Sequence, residues 1–403
     1  MKLNLGAMNK KTQLTTLLAA IATTLILAGC QITPNNVKRV VNSGVLSGND
    51  PSAVVESMAR ERLHSYRSNP QQLISDIEDL RKALRDLRAV AEAIWGDEEN
   101  TVPSAKKYVK YSDNFHAKAV VDFEQGLLTV ATLHDSNDPA KTREQLKAAI
   151  VRTLLTPNDL TAVDIFTDKE PERTGKPFLR GQVVDQDNVV VEYEWRANRF
   201  AEYLVKNQLR TRRAKNSKVY EVQIALVDEH QELRKHQYAD YVIAAARRYN
   251  LEPELIYAII ETESSFNPYA VSHANAYGLM QVVASTAGRD VFERVRKIPG
   301  QPTSQQLFDP AQNIDIGSAY LHILNTQYLK GVQHPRSREY AIVSAYNGGA
   351  GNVLKTFSSN RSNAVQIINR SQPGIVYRDL TSKHPLAESR RYLEKVMYFK
   401  QSY

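Results

Sequence analysis

The 403-residue sequence has a single cysteine, Cys30, so no intrachain disulfide can form in any compartment. Histidines are few, nine in all, and His116, His134 and Asp135 lack the spacing of metal ligands. No metal and no organic cofactor is expected. Beyond residue 28, no apolar run approaches the ~20 residues that a membrane-spanning helix requires. No internal repeat and no long low-complexity tract appears. Neither sign of charge dominates: 52 Lys and Arg stand against 44 Asp and Glu, a formal +8. A modest basic excess suits an anionic polymer or a membrane surface, and equally serves solubility alone. Nothing points to nucleic acid, and no protein partner can be named from the sequence.

The chain begins with an export-type segment. Lys2, Lys10 and Lys11 precede an apolar run from Leu14 to Ala28, which has the length of a signal-peptide core. The run closes with Leu27-Ala28-Gly29-Cys30, which resembles a lipobox. That resemblance implies removal of residues 1–29 and acylation of Cys30, and several acyl chains anchor far more firmly than one. Gln31, in place of an aspartate, implies transfer to the outer membrane, facing the periplasm. The mature chain would carry +5, since 8 − 3 lysines leaves 5.

Residues 30–54 are polar and read as a lipidated tether. Residues 55–228 read as an α+β domain. Leu73, Ile77, Leu80, Leu84, Leu87 and Ala91 recur at helical spacing within an expected helix from Arg60 to Ile94. Residues 117–133 alternate as a β-hairpin turning at Glu124 to Gly126. A helix is expected at 138–155, a second hairpin around Asp185 to Asn188, and a strand at 219–227. Trp95 and Trp195 read as core or sheet-face residues rather than sugar platforms, and 210–218 as a solvated edge. Residues 229–403 read as an all-helical domain. Asn250 is the expected C-cap of one helix and Pro253 the first turn of the next. Further helices are expected at 311–328, 339–345 and 387–398.

The segment Ala258–Pro268, AIIETESSFNP, holds two glutamates one residue apart. On a helix with about 100° per residue, Ile256, Ile259 and Ile260 lie within about 60° of Glu263, whereas Glu261 points about 160° away. Glu263 therefore shares the apolar stripe and is expected at the interior or a cleft. Glu261 is expected to face water or a neighbour's rim. Burial raises a carboxyl pKa toward the range useful to a general acid.

Four blocks then follow in order: ESSFNPYAVS from Glu263, YGLMQVV from Tyr277, SAYNGGAG from Ser344 and ESRRYLEKV from Glu388. The series resembles the catalytic domain of soluble lytic transglycosylases, relatives of goose-type lysozyme, over roughly residues 236–400. With the export signal and the α+β first domain, the whole chain is similar to the membrane-bound members of that family. Thr262 and the form NGGAG depart from the commoner pattern without removing a reactive group.

The resemblance implies a lysozyme-like fold and cleavage of the β-1,4 bond between N-acetylmuramic acid and N-acetylglucosamine in peptidoglycan. Glu263 would be the catalytic acid and then base, closing a 1,6-anhydro ring without water. Ser264, Ser272, Gly278, Met280, Gln281, Tyr346, Asn347 and Tyr392 would bind the glycan or support the acid. Gly278 would let the chain pass close to sugar, Met280 would form a wall, and Gln281 would offer an amide. Most hydrolases need two carboxylates, and Asp309, Asp315 and Glu388 read as helix caps or first-turn acids. A hydrolytic muramidase and an inactive glycan-binding lipoprotein remain the alternatives.

Overall fold

The computed structural model describes residues 77–96, 101–134, 137–158, 163–171, 175–214, 217–272 and 274–403. All of them belong to one compact unit, Ala59–Tyr403. The expected signal segment, Cys30, the tether, the start of the first helix and Asp135 lie outside the described residues.

The first described element is helix α1, Ile77–Trp95. Strands β1, Lys107–Ser112, β2, Ala117–Asp122, and β3, Leu127–Leu133, form an antiparallel meander. The second turn of the meander is where Gly126 was expected to place it, at φ +64. Helix α2, Pro139–Leu154, opens on Asp138, whose carboxylate accepts from the Lys141 amide at 2.8 Å. After helix α3, Glu194–Asn207, come β4, Arg210–Ala214, and β5, Ser217–Ala225. The five strands take the order β1-β2-β3-β5-β4, so the basic β4 is an edge, which suits its charge.

Side chains alternate across this sheet. Tyr108, Val121, Leu128, Val130 and Val222 face one way, in a cluster shared with Leu146 and Ile150 of α2. Val109, Tyr111, Ala131 and Val219 face the other, against Leu87, Val90 and Trp95 of α1. Trp95, 1% exposed, is therefore a core residue as expected.

One expectation in this region is met in reduced form and one fails. The hairpin at 185–188 is present but short: Val184 pairs antiparallel with Val190, and the amides of Asp185 and Val191 donate to the carbonyls of Val189 and Val183. The Asp185 side chain also closes the turn, accepting from the amides of Asp187 and Val189 at 3.0 Å each, as such turns favour. Trp195 is neither core nor sheet-face: it sits in the first turn of α3 and is 59% exposed.

From α4, His230–Gln237, onward the chain is helical except for one ribbon. Helix α5, Ala239–Tyr249, ends on Asn250 in the left-handed conformation, φ 52, and α6, Pro253–Ser264, starts on its proline. The two-residue strands β6, Ala276–Tyr277, and β7, Val282–Val283, pair antiparallel. Helical turns of π and α type fill Ala284–Gly288 through Phe292–Arg296. Then come α7, Ser304–Phe308, α8, Pro310–Ile323, α9, Pro335–Gly348, α10, Ala350–Phe357, α11, Arg361–Arg370, α12, Pro373–Lys383, and α13, Ala387–Lys400. The helix expected at 311–328 is α8 continued by a π turn, Leu324–Tyr328. Asp309 caps α8, accepting from the Gln312 amide at 2.8 Å. Asp315 is no cap: it lies within α8 and pairs with Arg248, at 2.6 Å, and Arg296, at 3.1 Å. Among the described residues no helix is long and apolar enough to cross a membrane.

The sheet and the helices share one core. Tyr108 of β1 packs on Tyr269, ring centres 5.0 Å apart, and Phe178 meets both rings. The Ser104 carbonyl accepts from the Val271 amide, and the Asn267 side-chain amide donates to the Ala105 carbonyl at 3.1 Å. The edge of the sheet is thus fixed against the segment that follows α6.

Candidate active site

Helix α6 is apolar on nearly every side. Leu255 to Glu261 are all buried, as is Ser264, the pattern of a helix central to a core. Its C-terminus carries the two glutamates, and the expectation for Glu261 is overturned. Glu261 is only 8% exposed, because the C-terminal Tyr403 crosses that side of the helix. The Tyr403 hydroxyl donates to Glu261 Oε2 at 2.5 Å, and its ring stacks on Tyr257 at 5.3 Å. Burial raises the Glu261 pKa, and the Tyr403 hydrogen bond partly offsets it. This carboxylate is already occupied.

Glu263 is held differently. The residue keeps a window to solvent, yet its carboxyl is packed so closely by protein that loss of hydration pushes its pKa up to about 8. The Tyr392 hydroxyl favours the charged form and works against that rise. The negative charge of Glu388 adds to the rise, and the positive charge of Lys106 opposes it. The Tyr392 hydroxyl is buried and near enough to the carboxyl to influence its titration. Burial together with the Glu263 charge raises the pKa of both Tyr346 and Tyr392 well above the usual range, which keeps them protonated donors. Groups from elsewhere in the fold act on this carboxyl: Tyr346 of α9, Tyr392 and Glu388 of α13, and, through its charge, Lys106 ahead of β1, which is paired with Glu124.

The motif residues around Tyr277–Gln281 have a role other than the one expected. Four successive carbonyls of this turn each accept from a side chain. Asn313 donates to Tyr277 O at 2.8 Å and Gln281 Nε2 to Gly278 O at 3.1 Å. Ser264 donates to Leu279 O, and Tyr346 to Met280 O, each at 2.8 Å. Ser264 is fully buried, so its hydroxyl faces backbone and not the cleft. Gly278, at φ +72, does pass close to a neighbour, but that neighbour is protein. A β-carbon there would lie 2.2 Å from the Leu307 carbonyl and 2.4 Å from Asn313. Met280 forms no cleft wall: it is 0% exposed and packs on Gly317 and Ser318. The turn is strained as well as clamped, since Gln281 takes φ 47, and Ser265, Phe266 and Asn275 nearby also have positive φ. Such conformations persist only where the surroundings over-determine them.

The remaining candidates lie around this core. Ser272 accepts from the Ala276 amide at 3.1 Å and shapes the loop before β6. Asn347, partly exposed at the end of α9, accepts from Ser389 at 2.6 Å, so its carbonyl is turned to α13 and not to Glu263. Gly348 is required there, because a β-carbon would lie 2.5 Å from Ser389 Oγ. Sequence reading missed Lys106, Tyr403 and Asn313. Only Asn313 left a trace, as a polar residue inside the apolar stretch of α8.

Residues 71–237 match the family model described as membrane-bound lytic murein transglycosylase C, N-terminal domain, and residues 240–369 match that of the transglycosylase SLT domain. A protein of Klebsiella pneumoniae subsp. pneumoniae named membrane-bound lytic murein transglycosylase C is 49% identical over 313 residues, 77% of this chain and 86% of that protein. The chain belongs to the membrane-bound lytic murein transglycosylase C family. Relatives of the same name from Serratia proteamaculans and Salmonella typhimurium are 48% and 47% identical over the same length. Among solved structures, the 70 kDa soluble lytic transglycosylase of Escherichia coli is 27% identical, with a TM-score of 0.31 over 40% of this chain and 23% of that one. In this family's chain, then, Glu263 ends the central helix of the SLT segment.

Proposed function

We infer that this chain is a peptidoglycan lytic transglycosylase acting in cell-wall turnover, with Glu263 as its single acid and base. The observation that carries this reading is the Glu263 carboxyl, whose pKa burial lifts to about 8 beside two protonated tyrosines. A carboxyl of that kind is protonated at neutral pH and can give its proton to the glycosidic oxygen between N-acetylmuramic acid and N-acetylglucosamine. The C1–O bond breaks as that oxygen takes the proton, and the substrate's own N-acetyl oxygen supports the cation at C1. Glu263, now a carboxylate, removes the proton of the C6 hydroxyl. The C6 oxygen bonds to C1 and closes the 1,6-anhydro ring. The proton returns to Glu263, so the cycle is balanced without water and without a second carboxylate. Tyr392, beside the carboxyl, favours the charged half of the cycle.

The strained turn at 277–281 supplies a rigid floor beside the acid. Ser272, Gln281, Asn347 and Tyr392 are the residues of the expected set left with a polar group near the surface or the acid, and we assign them to glycan contact or to support of the acid. Ser264 and Tyr346 act through the turn they clamp. We place the division between the α+β and helical domains at 228–229. Membrane association follows from the family, and we propose that it is mediated by acylation of Cys30 at the outer membrane, facing the periplasm.

A digest of purified peptidoglycan tests the reaction. The wild-type chain is expected to release muropeptides lighter by one water than hydrolytic products, and Glu263→Gln to release none while keeping its fold. A hydrolytic muramidase would use Glu388, which is exposed in the first turn of α13 within electrostatic reach of Glu263. Products of full hydrolytic mass, lost on Glu388→Gln, would replace the lytic reading with that one.

A further inference from the structure

The basic stretch 210–218 reads from sequence as a solvated edge, and its charge exceeds what that role requires. From Lys206 to Lys218 the sequence carries Lys206, Arg210, Arg212, Arg213, Lys215 and Lys218 and no acid. Arg210, Arg212 and Arg213 lie on β4, the last strand of the sheet, and Lys218 lies on β5 beside it. The strand register places these residues next to one another. Arg213 stands directly opposite Lys218, and Arg210 directly opposite Glu221. Like charges in a directly opposed pair destabilise a sheet. Glu221 is taken by Arg212 at 2.5 Å, and Arg210 bonds the neutral side chain of Gln223. Arg210, Arg213 and Lys218 are exposed, and none of them closes an ion pair among the described residues. A charged edge strand resists pairing with other chains, but Lys218 is not on the edge strand, so that defence does not account for it.

The arrangement has a direction. Val219, opposite Arg212, faces α1, and Tyr220, opposite Thr211, belongs to the cluster shared with α2. Arg210 and Arg212 therefore leave the sheet on one face, and Arg213 and Lys218 on the other. A surface that meets the sheet edge-on is reached from both faces. Among the described residues no large apolar side chain is exposed between 196 and 232, so the patch offers charge without an apolar anchor or a stacking ring. We propose that the β4 edge docks on a bilayer rich in anionic phospholipid headgroups, met edge-on by Arg210, Arg213 and Lys218. The proposal rests on the membrane association of the family and not on the acylation of Cys30. Headgroup phosphates are dense and lie in one plane, which matches cations spread over two faces of one edge, and basic clusters are attracted to such membranes. A single anionic polymer lying along either face would meet only half of the set. The sheet order gives the contact a consequence. Strands β4 and β1 are opposite edges, four strand spacings or about 19 Å apart. The loop of Ser104 to Lys106, just ahead of β1, bonds Asn267 and acts on Glu263. With β4 on the headgroups, the catalytic carboxyl is joined to the sheet at the edge that points away from the lipid.

Amine acylation read by mass spectrometry tests this, because Lys218 is exposed in the protein alone. The full-length chain is placed on vesicles of phosphatidylcholine, or of phosphatidylcholine with phosphatidylglycerol, at low and at high salt. Lys218 is expected to be protected on the phosphatidylglycerol vesicles, to stay reactive on phosphatidylcholine, and to regain its reactivity at high salt. Arg210→Gln and Arg213→Gln are each expected to weaken the protection roughly fivefold, and the pair about twenty-five-fold. Both variants should release product from a soluble muropeptide at the wild-type rate. The urea midpoint of Arg213→Gln should be no lower than that of the wild type, since an opposed pair of like charges is relieved. Lys218 reactive on both membranes, or equally protected on both, would overturn the proposal. Protection by soluble glycan strands without vesicles would make the edge a glycan contact and overturn it as well. Salt-sensitive protection on phosphatidylglycerol in a chain whose mass shows no acyl group on Cys30 would remove acylation from the functional reading and leave the edge standing. An acylated chain with Lys218 reactive throughout would do the reverse.

Discussion

At the scale of the residue, Glu263 is kept in a form that costs stability. Its ordinary pKa of 4.5 rises to about 8 in the folded chain. The unfolded chain ionises from about pH 4.5 upward, the folded one only near 8. The folded state therefore keeps its full margin below pH 4.5 and loses stability as pH rises from 4.5 to 8. At about 1.4 kcal/mol per unit the loss is several kcal/mol at most, and less because the residue keeps a window to solvent. Glu263→Gln is expected to raise the melting temperature at pH 8 and to leave it nearly unchanged at pH 4.5, measured by scanning calorimetry. Equal effects at both pH values would show that the carboxyl is not desolvated. Helical phase was enough to put Glu263 with the isoleucines. It misplaced Glu261 because phase shows which residues share a face, not how many faces are covered. Tyr403, 142 positions away in sequence, covers the other face, and no local pattern signals it.

At the scale of the element, the turn at Tyr277–Gln281 is the part of the site whose residues were legible and whose roles were not. Ser264, Gly278, Met280, Gln281 and Tyr346 stood out as a set from the motif blocks, but a motif does not show which way a side chain points. In the fold three of the five hold backbone carbonyls, one fills a core and one avoids a clash. Gly278→Ala must displace both the Leu307 carbonyl and Asn313 and must hold a side chain at φ +72. It is expected to destabilise by about 3 kcal/mol or more, read from a urea unfolding midpoint. Ser264→Ala leaves the Leu279 carbonyl without its donor in a site closed to water, at a cost of about 1–3 kcal/mol. Its product mass should be that of the wild type, since the hydroxyl does not reach the cleft. A Ser264→Ala chain of unchanged stability would mean that the clamp holds nothing.

At the scale of the whole molecule, the order of regions was legible from periodicity, first a mixed segment with strands of period two and then helices. The join was not. Contacts between Ser104–Ala105 and Asn267 span about 160 positions, and hydrophobic pattern carries no information on which loop meets which. Because of that join the α+β region reaches the reaction centre. Lys106 follows the two carbonyls that hold Asn267, and its positive charge favours the ionised form of Glu263. The charged groups that act on that carboxyl are Lys106, which is itself paired with Glu124 and lowers its pKa, and Glu388, which raises it. In the proposed cycle activity requires protonated Glu263 at the first step and is expected to fall as pH rises through its pKa. Removing a positive neighbour raises that pKa, so Lys106→Met is expected to move the alkaline limb of the pH–rate profile upward, and Lys106→Arg to restore it. Removing a negative neighbour lowers it, so Glu388→Gln should move the same limb downward while the anhydro product persists. The effects oppose each other although the residues sit in different regions, which damage to the fold would not produce. Two shifts of the same sign, or a limb indifferent to Lys106, would show that the sheet and its loops are only a support for the helices that carry the chemistry.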